Sequence, residues 1–176
     1  TYSRTAFEQV IDDRLKVNAS TEKKLAVLQV DLSHFNHVNE TLGHDVGDRM
    51  LKDVVSRMRS SLRVTDALGR IGGDVFAVLI DDVQNHANAA SIARKIIGAL
   101  KESFLLEGFE LYIGCNVGIA TFPECGKESA SLLKNAAIAV DGAKLVGSNS
   151  YKFFTAQMNK EILERVQLEA SLKHSL

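Results

Sequence analysis

Residues 67–80, ALGRIGGDVFAVLI, are two apolar runs of strand composition that meet at Gly72-Gly73. A glycine turn between such runs folds back as a β-hairpin, and a hairpin pairs its strands antiparallel. This one segment disfavours a purely parallel, doubly wound sheet. A second run, 25–32 (LAVLQVDL), is short, mostly apolar and bounded by polar residues. That pattern fits a central strand buried on both faces.

Helical periodicity fills the intervals. Residues 4–17 place Phe7, Val10, Ile11 and Leu15 on one side, with Ser3 as a cap. Residues 35–62 are helical apart from an interruption at GHDVG, where Gly43 and Gly47 favour a turn. Residues 85–104 are predicted to be an amphipathic helix, 111–122 a strand paired with 105–110, and 129–146 a helix stopped by Gly147. Residues 151–154 close the sheet, and 156–176 are helical again, with Met158, Ile162, Val166, Leu168 and Leu172 apolar. Strands interleaved with helices, including a hairpin, imply an α/β (α+β) sandwich with a mixed sheet covered by helices.

Charge narrows the function. The 21 basic and 22 acidic residues leave a formal net charge of -1, which supplies no attraction to nucleic acid or to an anionic membrane. Neither partner is expected for this chain. Cys115 and Cys125 form no CxxC and no metal-ligand spacing, so a reducing cytoplasm is the simplest compartment. No apolar run has the length of a membrane span, although a longer parent could be anchored elsewhere.

Three segments carry candidate chemistry. The run VDLSHFNHVNETLGHDVGD ends a strand at Asp31 and continues to Asn39, His44 and Asp48; the hairpin turn contributes Gly72, Gly73 and Asp74; the helix AAIAVDGAKLVG carries Lys144. If the two strands are neighbours, Asp31 and Asp74 form a carboxylate pair of the kind that holds Mg²⁺ against phosphate oxygens. Glycines at the turn let phosphates approach the backbone. An amide and a carboxylate, Asn39 and Asp48, match the hydrogen-bonding edge of guanine. Each feature also has a plain alternative: Asp31 as a helix cap, Asp74 as a turn residue, Asn39 and Asp48 as solvent-facing polar residues, Lys144 as a partner of a helix C-terminus.

The order and spacing of these segments resemble the GGDEF family of diguanylate cyclases. The family pattern DxDxFKxxND…GHxxGD corresponds to DLSHFNHVNETLGHDVGD, and GGDEF to GGDVF. The later SIGIA…PEDG…LLxxADxALYxAKxxGxN corresponds to NVGIATFPECGKESASLLKNAAIAVDGAKLVGSN, and NRxxF to SRTAF. The match runs through residues 1–154. It implies an adenylyl-cyclase-like palm with a central five-stranded sheet between helices. It also implies condensation of two GTP into cyclic-di-GMP across a transient homodimer. By resemblance, Asp31, the Leu32 carbonyl and Asp74 are metal ligands for Mg²⁺ or Mn²⁺. Asn39 and Asp48 are guanine readers; Phe35, His44, Gly72 and Gly73 are substrate contacts; Lys144 is a phosphate contact.

The pattern is broken at several of its charged positions. Val75 replaces the signature glutamate and can neither exchange a proton nor bind a metal. Loss of a positioned acid–base group typically costs ~10²–10⁴-fold in rate. Asn36 stands in place of lysine and Ser148 in place of arginine, removing positive charge. Ser33 and Ala137 replace acids, and Asp141 replaces tyrosine. The expectation is a nucleotide-binding regulatory domain, for GTP and/or cyclic-di-GMP, with weak or no cyclase activity. The alternatives are a slow but genuine diguanylate cyclase and a nucleotide-free dimerisation module.

Arg63-Val64-Thr65-Asp66 matches the family's RxxD inhibitory site, with Arg94 as a further contact. As a local feature it is an Arg–Asp pair one turn apart. The tail beyond residue 154, with Met158, Glu164, Arg165, Leu168, Glu169 and Leu172, resembles the connector from GGDEF to a downstream EAL domain. Residues 1–154 would then be the GGDEF domain and 155–176 the connector of an excised tandem protein.

Overall fold

The computed structural model describes residues 1–175. In chain order the elements are α1 (Arg4–Asn18), β1 (Leu25–Ser33), α2 (Phe35–Leu42), α3 (His44–Ser60), β2 (Ala67–Arg70) and β3 (Val75–Ile80). There follow α4 (His86–Lys101), β4 (Phe104–Leu106), β5 (Phe109–Leu111), β6 (Gly114–Phe122), α5 (Ser129–Val146), β7 (Tyr151–Phe153) and α6 (Ala156–Ser175). Five strands form one sheet in the order β2-β3-β1-β6-β7. The central β1 runs antiparallel to both β3 and β6, and β7 adds parallel to β6, so the sheet is mixed as expected.

The mostly apolar composition of β1 follows from its two covered faces. On one, Val27 and Leu79 pack with Phe7 and Ile11 of α1 and with Leu132 and Ala136 of α5. On the other, Val30, Phe76 and Val78 pack with Met50 and Val54 of α3 and Ile96 of α4. Burial of each such side chain contributes about 1.5–3 kcal/mol. Helix α5 lies so close to β6 that a Cβ on Gly118 would fall 2.1 Å from the carbonyl oxygen of Ala136.

The cap expected at Ser3 is present, and a second one forms at the start of α4. Ser3 Oγ accepts from the Ala6 N–H, and Asn85 and Asn88 cap the start of α4 reciprocally.

The structure departs from the sequence expectation in two places. The predicted interruption at 43–47 occurs at Gly43 alone, whose φ of 90° ends α2 and starts α3, while Gly47 is inside α3. The second departure concerns 104–122. Here α4 stops at Lys101, and β4 and β5 pair with each other as a separate hairpin rather than with β6. The cause is the Glu107-Gly108 turn, with φ of 50° and 79°, which is the geometry of a tight two-residue hairpin.

At the C-terminus, Met158 of α6 rests over Gly142 of α5. Farther along α6, Leu163, Val166 and Leu168 are exposed. Leu172 of the expected apolar series is exposed as well, and the side chain of Ile162 lies outside the described residues.

Candidate functional site at the end of the central strands

The antiparallel pairing of β1 with β3 sets Asp31 directly across from Val75. Immediately beyond that pair, the Leu32 N–H donates to the Asp74 carbonyl at 3.0 Å. The two acid-bearing stretches, far apart in sequence, are therefore one hydrogen bond apart in space. Paired residues of an antiparallel ladder point to the same face. Asp31 and Val75 thus share the face covered by α5.

Lys144, in the last turn of α5, donates from Nζ to Asp31 Oδ2 at 3.0 Å. The other carboxylate oxygen, Oδ1, accepts from Gln29 Nε2 at 2.9 Å. Asp31 is largely covered, with its side chain 16% exposed, while Lys144 is half exposed. The ammonium is therefore free to swing to another anion at little desolvation cost. Asp31 also acts on its neighbourhood. Burial first, and then the negative charge of Asp31, push the Cys115 thiol up from 9.0 to about 12. Cys115 stays protonated at neutral pH and acts as a small core side chain.

The expected guanine readers come from the second helical pair. Asn39 of α2 lies against the backbone of α3 at Gly47, where a Cβ would stand 1.8 Å from Asn39 Oδ1 and 3.4 Å from the Phe35 ring. This contact is why a glycine stands inside α3 despite the helix-propensity cost of about 1 kcal/mol. The next residue, Asp48, is exposed on the rim of a cleft of about 580 Å³ that is also lined by Leu51, Lys52, Arg70 and Phe76. His44 is exposed at the start of α3. Phe35 is buried at 4% exposure, with its ring against Gly47.

Two contributors carry no signal in the motif. Arg70 spans the turn, donating to the Gly73 carbonyl from Nη2 at 2.7 Å and from Nε to both Gly72 and Gly73. It fixes the exposed glycine pair and lines the same cleft as Asp48. Gln29, which orients Asp31, is a polar residue within an apolar strand and is identifiable only from the pairing.

Asp31 and Asp74 supply hard oxygen donors on adjoining segments, a set that fits Mg²⁺ or Mn²⁺ with further ligands from a nucleotide. Ser33 and Val75 add no carboxylate. Among the described residues no group of three or more His, Cys, Asp or Glu is gathered for a metal. The protein alone thus offers two acids.

At the RxxD turn, Asp66 is buried and closed on its own backbone. Its Oδ2 accepts from the Arg63 N–H at 2.9 Å, and its N–H donates to the Arg63 carbonyl at 3.0 Å. Oδ1 is buried with no partner among the described residues. The Arg63 side chain is exposed. Arg94 donates to the Tyr151 hydroxyl at 3.0 Å, on β7, at the opposite edge of the sheet from β2. Its guanidinium is engaged there and not at the Arg63–Asp66 turn.

Comparison with known proteins agrees with this arrangement. The sequence matches the family profile "Diguanylate cyclase, GGDEF domain" over residues 1–150. It is 37% identical over 174 residues to the cyclic di-GMP phosphodiesterase NbdA of Pseudomonas aeruginosa, covering 99% of this chain and 22% of that protein. The chain spans about a quarter of the length of the curated relatives it matches.

Among solved structures, the isolated GGDEF domain of TpbB (YfiN) from Pseudomonas aeruginosa superposes with a TM-score of 0.88 at 31% identity, covering 92% of this chain and 95% of that one. An EAL/GGDEF domain protein from M. capsulatus matches at 34% identity and a TM-score of 0.73, covering 84% and 97% of the respective chains. With its hairpin turn, paired strand ends and flanking helices in the same order, the chain belongs to the GGDEF domain family of cyclic-di-GMP signalling proteins.

Proposed function

We propose that this domain binds guanosine triphosphate in a regulatory role and turns it over weakly or not at all. The observation that carries the reading is the pairing of Asp31 with Val75. Strand register puts an apolar side chain where the family places its glutamate, beside an intact acid. The elements suited to hold a nucleotide are otherwise present: Asn39 and Asp48 for the base, the bare turn Gly72-Gly73 and Lys144 for phosphates. A divalent ion, held by Asp31, Asp74 and the Leu32 carbonyl, supplies charge neutralisation of the polyphosphate when bound. Lys144 then leaves Asp31 and turns to a phosphate.

What fails is proton removal from an attacking hydroxyl. Val75 accepts no proton, and Asn36 and Ser148 add no cation to stabilise developing charge. Purified protein incubated with GTP and Mg²⁺ is expected to bind the nucleotide by calorimetry and to yield little cyclic-di-GMP by chromatography. Robust product formation would overturn the reading, and absence of GTP binding would reduce the domain to an interaction module.

The Gly47–Asn39 contact offers a sharper test. In Gly47→Ala the new methyl displaces the Asn39 amide, while helix propensity improves by about 1 kcal/mol. GTP affinity is expected to fall by about tenfold or more, the scale of one or two lost hydrogen bonds, with little change in melting temperature. Unchanged affinity would remove Asn39 from the site.

One observation favours cyclic-di-GMP as a second ligand. The Oδ1 of Asp66 is a buried acceptor with no partner among the described residues, a cost that an amino group of guanine would relieve once the turn opens to admit it. The exposed Arg63 beside it matches guanine or phosphate acceptors. We also assign α6 as the connector to an EAL domain in a longer parent chain, through which nucleotide binding favours one domain arrangement over another. Residues 155–176 lie outside the GGDEF domain proper in this reading.

A further inference from the structure

Across the sheet, Asp31 of β1 lies between Val75 of β3 and Asn116 of β6, its ladder partners on either side. Paired residues of an antiparallel ladder share a face, so Asn116 points to the α5 side together with Asp31. It is a polar side chain only 4% exposed, in a strand that is otherwise mostly apolar and almost wholly buried. A buried amide is costly unless its donors are used.

Both donors are directed at the end of α5. Asn116 Nδ2 donates to the Gly147 carbonyl at 2.8 Å and to Ser150 Oγ at 3.1 Å. The Ser150 hydroxyl lies 2.7 Å from the Ala143 carbonyl and 2.8 Å from that of Gly147, and donates its single proton there. The last carbonyls of a helix lack partners of their own kind; here a strand and a loop supply donors. The loop is also tied to β6 on either side of Asn116. Asn149 Oδ1 accepts from the Cys115 N–H at 3.2 Å, and the Val117 N–H donates to the Ser150 carbonyl at 3.0 Å.

Lys144 stands inside the clamped stretch, between Ala143 and Gly147, with Nζ 3.0 Å from Asp31 Oδ2. One row of the ladder thus supplies both the carboxylate that Lys144 meets and the amide that holds the turn from which it reaches. Without the clamp, Gly147 is held to the helix by one bond, from its N–H to the Ala143 carbonyl at 3.2 Å. Such ends fray.

We propose that Asn116 is the positioning residue for Lys144. Through Gly147 and Ser150 it fixes the last turn of α5 against β6, which sets the reach of the ammonium to Asp31 and, with a nucleotide bound, to its phosphate. A lysine is a point charge on a flexible four-carbon stem, so it takes its place from the backbone that carries it. The second half of the proposal rests on the nucleotide role given to Lys144 above; the first half does not.

Two uncharged variants open the clamp from either side: Asn116→Leu in the strand, and Ser150→Ala in the partly exposed loop. Asn135→Leu is the control, because Asn135 makes the same kind of bond elsewhere on α5, from Nδ2 to the Cys125 carbonyl at 2.6 Å. The first readout needs no nucleotide. It is the methyl resonance of reductively methylated Lys144, which keeps its charge, assigned with Lys144→Arg. Introducing Asp31→Asn into the wild type is expected to shift it. In Asn116→Leu and Ser150→Ala it is expected to stand already near the shifted position, and adding Asp31→Asn moves it no further. In Asn135→Leu it keeps the wild-type position.

The second readout is GTP affinity by calorimetry. Lys144→Ala is expected to weaken it by about tenfold, the scale of a lost hydrogen bond to a charged group, and Asn116→Leu by about fivefold. The double variant is expected to bind within about twofold of Lys144→Ala alone, since residues that act through one contact are not additive. Losses that multiply, or a wild-type Lys144 resonance in Asn116→Leu and Ser150→Ala, overturn the proposal. A wild type that binds no GTP defeats the nucleotide reading instead, and the lysine resonance then decides the role of Asn116 alone. Melting temperatures measured alongside show which variants are folded; if Asn116→Leu is not, Ser150→Ala carries both readouts.

Discussion

Replacement of Gly118 by alanine is expected to destabilise the domain by at least about 3 kcal/mol, since overpacking in a core typically costs 1–3 and this site cannot relax. The added Cβ would meet the Ala136 carbonyl oxygen at 2.1 Å, the Val140 nitrogen at 2.4 Å and the Ala139 carbonyl carbon at 2.9 Å. All three are backbone atoms of α5, so no rotamer change relieves the clash. Either the helix lifts from the sheet or β6 bends away from β1. Either movement opens the core around Leu132 and Ala136 and withdraws Lys144 from Asp31. For a domain of this size the melting temperature is expected to fall by about 6–12 °C. Thermal unfolding followed by circular dichroism measures it, and a melting temperature within two or three degrees of wild type would show that α5 does not pack as described.

The second large effect is a gain. Val75→Glu is expected to raise the rate of cyclic-di-GMP formation by about 10²–10⁴-fold, the usual contribution of a positioned acid–base group. Val75 is only partly buried and lines a cleft of about 390 Å³ on the sheet face covered by α1 and α5, so a glutamate there keeps access to water and the fold tolerates it. It also stands across the ladder from Asp31, and mutual repulsion of two carboxylates raises the proton affinity of the pair, as suits a general base. Lysine at 36 and arginine at 148 are expected to add to the gain by stabilising phosphate charge. The readout is product formed per unit time at saturating GTP and Mg²⁺, with GTP binding measured in parallel. A variant that binds GTP and still makes no product would show that Val75 is not the decisive lesion.

Local chemistry made much of the architecture legible before any coordinates. The limits of α5 follow from the apolar series and Gly147, and the GGD turn follows from two glycines between strand-like runs. Gly47 was opaque because a glycine inside a helix looks like a break, whereas its reason is the Asn39 side chain reaching from another helix. Residues 104–111 were opaque for a similar reason: a short apolar run pairs with whichever edge the turn geometry presents, and Glu107-Gly108 presented its own neighbour. Gln29 gave no sign of a role because its partner, Asp31, is reached only along one face of a strand. Arg94 is linked to Arg63 only through the family resemblance, and no local pattern announces its bond to Tyr151.

The sequence by itself determined most of the helices and strands, that the sheet must be mixed, and that the glutamate of the signature is missing. Those are properties of periodicity, turn chemistry and residue identity, which act over a few positions. Only the tertiary structure decided that Lys144 reaches Asp31, that Asp66 closes on its own turn, and that positions 75 and 137 open into one cavity. Such facts depend on strand order and helix placement, which arise from the packing of two apolar faces across the whole chain, and no local pattern encodes that distance.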